Sequence, residues 1–282
     1  MGVFSVLSIG ALAALAAAAR ERVTFQSFGT EIVGYHDTPT TQSGPVLAVI
    51  IAHAERFAEA GYHALTFDYR YWGQSAGMPR NLIDVKRQQE DYEAAFAAAK
   101  TFPGVDGDRL VVWGTSLSGG HALELGARHP ELAGVIVQAP HVNGTATVSQ
   151  LPPLSLPGLT AAGIDDARRA TLGQPPLYIT LTNRTGKFGA LTQPGAYEGY
   201  QFLPFFVPYA TAGASKIPTL FNVGLTDNVT PPEPAIALAK RMTNATLYTY
   251  LDTGHFDVYP GAKTYEANIG NQLAFLRKNV PI

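Results

Sequence analysis

The sequence contains no cysteine in its 282 residues and few charged side chains. Without thiols the chain can form neither a disulfide framework nor a thiolate metal site, so cysteine usage says nothing about its compartment. Charged residues make up 15% and give a net charge of −2, which excludes the strongly basic character of a nucleic-acid-binding protein. Hydrophobic residues make up 46%, which indicates a large buried core.

Sequence motifs that hold phosphates, nucleotides or metals are also missing. The chain has no P-loop, no Rossmann glycine pattern after its first strand, no His-Glu-x-x-His pair and no EF-hand spacing. We therefore expect no cofactor and no metal, and a small molecule as the partner.

The longest mainly apolar run is residues 3–19, which carry no charge. This run is short for a transmembrane helix, so we expect no integral membrane span in the mature domain. It ends in alanines before Arg20, as the apolar part of a signal peptide does. Glycosylation triplets begin at Asn143, Asn183, Asn228 and Asn244. We slightly favour a secreted over a cytoplasmic protein; the alternative is that residues 1–20 form an ordinary helix on the domain.

Apolar strands alternate with amphipathic helices over most of the remaining chain. The predicted strands are a hairpin, Val23–Phe28 with Glu31–His36, and then Pro45–Ala52, His63–Asp68, Leu110–Trp113, Gly134–Gln138, Thr219–Val223 and Thr246–Leu251. The predicted helices are Glu55–Ala60, Asn81–Lys100, Leu117–Arg128, Pro232–Met242 and Lys263–Lys278.

This alternation predicts an α/β fold with a doubly wound, mainly parallel sheet, built as one domain over residues 21–282. Residues 141–217 break the pattern because they are rich in proline and glycine with only short helical pieces. We expect them to form a cap inserted over the carboxyl edge of the sheet, where open α/β sheets bind ligands.

The stretch Val111–Gly120 has the pattern of a nucleophile elbow, in which a strand turns sharply into a helix and exposes a serine, here Ser116. Ser118 stands where the Gly-x-Ser-x-Gly pattern has its second glycine, and two glycines follow it. The backbone N–H of Leu117 begins the helix and is expected to face a developing oxyanion. The alternative is a glycine-rich turn without chemistry.

A serine becomes nucleophilic when a base accepts its proton and an acid orients that base. In this fold the acid and then the base follow at the carboxyl ends of later strands, which Asp227 and His255 do. His141 also follows a strand, but it precedes the insertion. The other histidines are expected in packing, turn or surface positions: His36, His53, His63, His121 and His129. Among the acids, Asp252 and Asp257 flank His255 so closely that they are expected to point elsewhere, and Asp106 and Asp108 precede a strand, at the wrong end of the sheet.

These motifs resemble the α/β-hydrolases related to serine aminopeptidases, X-Pro dipeptidyl peptidases and dienelactone hydrolases, over about Val23 to Leu276. The segments that carry the resemblance are Phe67–Ser75, Trp113–Gly120, Gly224–Asp227 with Pro231 and Pro232, and Gly254–Asp257. Similar proteins act as esterases, thiohydrolases or acyl transferases on polyketide chains. The resemblance therefore implies acyl chemistry without a cofactor.

One segment departs from that family, whose strand matching Pro45–Ala52 usually ends in His-Gly and a loop that donates the second oxyanion N–H. Here His53 runs directly into Ala54, without the glycine or the loop. The N–H of Ala54 is the remaining candidate donor, and the loss of one donor typically lowers turnover by about 10²–10³.

The residues predicted to line a substrate pocket follow strand ends or belong to the aromatic run Gln201–Tyr209; they are His53, Tyr71, Trp72, His141, Phe205 and Phe206. For the aromatic run, packing of the cap on the core is the alternative that we favour. The first hypothesis for the function is a serine hydrolase that cleaves an ester or thioester through an acyl-enzyme. The alternatives are an acyltransferase on a polyketide-like chain and a hydrolase-like protein whose activity is impaired.

Overall fold

The structure is a computed structural model that describes residues 19–39, 44–48, 54–149, 155–175, 177–180, 194–196 and 206–282. The apolar segment up to residue 18, the connection 49–53 with His53, and residues 201–205 with Phe205 lie outside these ranges. Ala19 and Arg20, which the sequence groups with the apolar segment, are the first residues of a strand. Within the described ranges, no helix combines the length and apolar character needed to span a membrane.

Eight strands form one twisted sheet in the order β1-β2-β4-β3-β5-β6-β9-β10. Their bounds are β1 Ala19–Ser27, β2 Thr30–Thr38, β3 Gly44–Ala48, β4 His63–Phe67, β5 Val105–Thr115, β6 Gly134–Gln138, β9 Thr219–Gly224 and β10 Ala245–Tyr250. The strand β2 pairs antiparallel with β1 and β4, and every other pair is parallel. The predicted α/β fold with a doubly wound, mainly parallel sheet is confirmed.

Helices cover both faces of this sheet, because its central strands are apolar on both sides. Every residue of β4, β6 and β9 is buried. Along β5, Val111 and Trp113 pack in one core cluster with α1 (Ala54–Glu59) and α8 (Tyr265–Asn279). Val112 faces the other cluster, with α2 (Val85–Ala99), α3 (Leu117–Arg128) and α7 (Pro232–Arg241). The strict alternation of side chains along a strand separates the two clusters.

Several predicted boundaries were wrong at the amino ends of elements. The helix expected from Asn81 begins at Val85, because Asn81 has a φ of +62° and the Asp84 side chain caps the helix by accepting the Arg87 N–H at 3.0 Å. The strand expected from Leu110 begins at Val105 instead, so Asp106 and Asp108 lie within β5 rather than before it. The last helix begins at Tyr265 rather than Lys263.

In its described parts, the insertion between β6 and β9 carries one long helix of 17 residues, where only short helical pieces were predicted, together with shorter elements. These are α4 (Gly144–Val148), α5 (Ser155–Thr171), the antiparallel pair β7 (Tyr178–Thr180) and β8 (Pro194–Ala196), and α6 (Tyr209–Ala212). Phe206 and α6 lie against α3, the helix that follows Ser116. That this insertion is a cap over a substrate pocket stays a prediction.

Candidate active site

Ser116 lies on a sharp turn between β5 and α3, with φ of +53° and ψ of −124°. A backbone in this region is strained for any residue with a Cβ atom, and such strain concentrates at functional sites. Glycines make room for the turn. A Cβ atom on Gly114 would lie 2.1 Å from the Ser118 carbonyl oxygen, and one on Gly119 would lie 2.8 Å from Pro140 Cβ. The local geometry is therefore that of the predicted elbow.

The structure brings Ser116, His255 and Asp227 together in one chain of hydrogen bonds. His255 Nε2 lies 3.0 Å from Ser116 Oγ, and His255 Nδ1 lies 2.8 Å from Asp227 Oδ2. Asp227 and His255 are buried, at 7% and 4% exposure, whereas Ser116 is partly exposed. The carboxylate accepts the Nδ1 proton, which leaves Nε2 free to accept the serine proton. This arrangement is chemically competent for nucleophilic catalysis.

Thr230 completes the surroundings of the acid, although no sequence motif singled it out. Its N–H and that of Val229 donate to Asp227 Oδ1, each at 2.8 Å. Its hydroxyl lies 2.9 Å from Asp227 Oδ2. An Asp followed two and three residues later by backbone donors is a turn signature, so the Asp-x-x-Thr spacing could have indicated this contact.

The two predicted oxyanion donors, Leu117 and Ala54, are the first residues of two helices. Leu117 is the first residue of α3, and the first N–H groups of a helix have no partner in the helix itself. Ala54 is buried and is the first residue of α1. The connection before Ala54 lies outside the described residues, so its role as a second donor stays a prediction.

Ser118, the residue that departs from the elbow pattern, is bound to a tyrosine that was not among the predicted site residues. Its Oγ lies 2.9 Å from the hydroxyl of Tyr69, in the loop after β4. Burial raises the pKa of the Tyr69 phenol well above its usual value, so the phenol stays neutral. Tyr69 therefore acts as an uncharged anchor for the first turn of α3.

The other predicted pocket residues lie in contacts of their own. Tyr71 packs with Leu82 and Trp72, whose indole N–H donates to the Leu82 carbonyl at 2.7 Å. The His141 ring stacks on Phe206 with centroids 5.5 Å apart, and its Nε2 lies 3.2 Å from the Phe206 carbonyl oxygen. Burial lowers the pKa of His141 to about 4. Contacts within the protein thus hold these side chains, and a part in substrate binding stays a prediction.

The competing histidines and acids form hydrogen bonds with residues other than Ser116, Asp227 and His255. His36 pairs with His63 at 2.9 Å, and His121 with Gln88 at 3.0 Å. The remaining pairs are His129 with Glu131, Asp106 with Arg109, and Asp257 with the Gly254 N–H. In the part of the chain that the structure describes, no three or more His, Asp or Glu side chains form a group that could hold a metal ion.

Comparisons with known proteins identify the family. The protein family described as "Serine aminopeptidase, S33" matches residues 48–164 of this chain. The quorum-quenching protein AidA of Acinetobacter baumannii (strain MDR-ZJ06) is 33% identical, over 92% of this chain and 95% of that protein. The chain is an α/β-hydrolase. It belongs to the serine aminopeptidase-like branch, as the resemblance predicted.

Further relatives of this α/β-hydrolase carry names from acyl chemistry. A thiohydrolase of Eupenicillium brefeldianum is 30% identical over 60% of this chain and 57% of that protein. The polyketide transferase grgF of Penicillium sp. is also 30% identical, over 52% of each chain. The crystal structure of the α/β hydrolase GrgF from Penicillium sp. sh18 covers 94% of this chain and all of its own, with a TM-score of 0.79 at 22% identity. That likeness supports the fold, and the relatives are named as a thiohydrolase and a polyketide transferase.

Proposed function

We propose that this α/β-hydrolase is a serine hydrolase that cleaves a carboxylic ester or thioester through an acyl-enzyme. The observation that carries the proposal is the unbroken chain of hydrogen bonds from Ser116 through His255 to Asp227, at 3.0 and 2.8 Å. Nucleophile, base and acid occur in the order that the fold requires, at the carboxyl ends of parallel strands.

In this mechanism Ser116 Oγ attacks the substrate carbonyl carbon while its proton passes to His255 Nε2. The oxyanion that forms is bound by the Leu117 N–H, with Ala54 as the second donor. As the C–O or C–S bond breaks, His255 returns the proton to the departing alcohol or thiol. Water then attacks the acyl-enzyme, gives its proton to His255 and releases the acid, and Ser116 regains its hydroxyl proton. Asp227 keeps His255 in the required tautomer throughout.

A fluorophosphonate probe tests the nucleophile directly, because it reacts only with an activated serine. We expect the wild-type protein to be labelled at Ser116 and the Ser116→Ala variant to remain unlabelled in intact-mass spectra. Equal labelling of the two proteins would contradict the assignment. On a panel of p-nitrophenyl esters and acyl thioesters, His255→Ala should abolish turnover. A wild type without turnover would favour the alternative of a hydrolase-like binding protein.

A second candidate is acyl transfer, favoured by the relative named as a polyketide transferase. The chemistry differs only in the last step, where an alcohol or amine replaces water. Product analysis with and without an added acceptor separates the two, because transfer yields a new ester or amide in place of the free acid.

The quorum-quenching relative, similar over nearly its whole length, brings bacterial signalling molecules into the range of candidate substrates. Acyl-homoserine lactones are cyclic esters among such signals, and they belong in the panel beside open-chain esters. Ring opening that requires Ser116 would place the substrate in that class. Turnover of open-chain esters alone would exclude it.

A further inference from the structure

We propose that the Thr230 hydroxyl is a positioning group for the base: it holds the Asp227 carboxylate and the His255 ring in the orientation that proton transfer from Ser116 requires. The inference rests on the proposed function and adds a fourth side chain to it. Thr230 is only 5% exposed, behind the acid, so it acts through Asp227 and His255 and not on the substrate.

The hydroxyl of Thr230 stands between three polar groups. Its Oγ1 lies 2.9 Å from Asp227 Oδ2, 3.0 Å from the Ala139 carbonyl oxygen and 3.2 Å from His255 Nδ1. A threonine hydroxyl has one proton to donate, and a bond to a carboxylate is stronger than a bond to a neutral carbonyl. We therefore assign the proton to Asp227 Oδ2. The oxygen lone pairs then face the Nδ1–H of His255.

With that proton placed, the acceptor capacity of the carboxylate is filled. Oδ1 accepts the N–H groups of Val229 and Thr230, and Oδ2 accepts the Thr230 hydroxyl and His255 Nδ1–H. An ionised carboxylate has about four lone-pair sites, so all of them are used. A buried carboxylate held in this way cannot rotate away from His255 without breaking several charge-assisted hydrogen bonds.

Thr230 also reaches the segment that holds the nucleophile. Ala139 follows β6 with a φ of +41°, an uncommon conformation for a residue with a Cβ atom. The preceding carbonyl, of Gln138, accepts the Ser116 N–H at 3.2 Å. Thr230 Oγ1 thus lies within hydrogen-bonding distance of the acid, of the base and of a carbonyl in the segment that pairs with Ser116, and its single proton goes to the acid.

The test compares Thr230→Val, which keeps the shape and removes the hydroxyl, with Thr230→Ser, which keeps the hydroxyl. We expect Thr230→Val to lower the rate of fluorophosphonate labelling about tenfold or more. The kcat for p-nitrophenyl acetate should fall by a similar factor, while KM changes less than twofold. Thr230→Ser should retain most of the wild-type labelling rate and kcat. Thr219→Val is the matched control, because Thr219 is also a buried threonine, and its hydroxyl donates to the Ile217 carbonyl at the far end of the sheet.

The outcomes separate this inference from the proposed function. A wild type that reacts, together with a Thr230→Val variant that reacts equally fast, overturns the role of Thr230 and leaves the nucleophile standing. If Thr230→Ser does not recover the lost rate, or if Thr219→Val loses rate to the same extent, the effect comes from packing. Either outcome also overturns the positioning role of Thr230. A wild type inert to probe and ester overturns both proposals. Melting curves check that each variant is folded, and Thr230→Ala replaces Val if that variant is not.

Discussion

Single glycines decide whether the nucleophile can occupy its turn. Gly114 is approached by backbone atoms of the following helix, with the Ser118 carbonyl oxygen 2.1 Å from where a Cβ would lie. Backbone cannot swing aside as the end of a flexible side chain can. Any larger residue must therefore push the first turn of α3, and with it the Leu117 N–H, out of place.

At this scale we predict that Gly114→Ala destabilises the protein by about 1–3 kcal/mol, as overpacking does, and suppresses fluorophosphonate labelling of Ser116. Gly270→Ala is the control, since no heavy atom lies within 4 Å of its Cβ position in α8. It should be neutral or stabilise by up to about 1 kcal/mol through helix propensity. Urea unfolding and labelling measure both effects, and a fully reactive, stable Gly114→Ala variant would contradict the steric argument.

At the scale of elements, a buried polar network joins the loop that carries His255 to the strand that carries the elbow. The members joined by its hydrogen bonds are Trp113, Thr115, Gln138, Tyr259, Asn268 and Gln272. Tyr259 reaches Thr115 at 2.7 Å, and Asn268 in α8 donates to Gln138 in β6 at 2.6 Å. A satisfied buried network makes the packing of helix on sheet specific, and a partly satisfied one is costly.

We predict that Asn268→Leu destabilises the fold by about 2–3 kcal/mol, because two buried acceptors lose a donor that a leucine of similar branched shape cannot replace. Those acceptors are the Gln138 side chain and the Val258 carbonyl. Asn271→Leu in the same helix removes one bond of a half-buried side chain, to the Tyr250 hydroxyl, and should cost less than half as much. Thermal unfolding measures the stability that each variant loses. Equal losses in the two variants would contradict the special role of the network.

The same elements show how far the sequence can be interpreted. Strands β6 and β9 were predicted almost to the residue, because a short, continuous apolar run between turns is typical of a strand buried on both faces. The start of β5 was missed because Asp106–Arg109 has turn composition, yet the backbone there is strand. For the site, Ser116, Asp227 and His255 follow from motif order, and the local contact of Thr230 with Asp227 could have been inferred from the Asp-x-x-Thr spacing. The contact of Tyr69 with Ser118 joins segments 49 residues apart, and periodicity carries no such information.

At the scale of the whole molecule, buried imidazoles make stability depend on pH. Burial, assisted by the neighbouring His63, lowers the pKa of His36 to about 4. Burial also lowers the pKa of His121 to about 3 and that of His141 to about 4. These rings are neutral in the folded protein at pH 5, whereas in the unfolded chain, with a pKa near 6.5, they bind protons.

We predict that the protein loses stability as the pH falls from about 6.5 towards 4, since the unfolded state then binds more protons than the folded state. Each of the three rings contributes about 2 kcal/mol between pH 7 and 5. Burial raises the pKa of Asp37 and Asp91, which acts in the opposite direction and offsets part of the loss. Urea midpoints at the two pH values measure the effect. His36→Gln should reduce the loss between pH 7 and pH 5 by about 2 kcal/mol, and a wild type equally stable at the two pH values would contradict the prediction.

The backbone of Ser116 is hydrogen-bonded on both sides, to the last residue of β6 and to the chain that follows it. Its N–H donates to the Gln138 carbonyl at 3.2 Å, and its carbonyl accepts the His141 N–H at 2.8 Å. His141 is also where the insertion leaves the sheet. A displacement of the chain at His141, where the insertion begins, would therefore strain the backbone of Ser116 through these two hydrogen bonds.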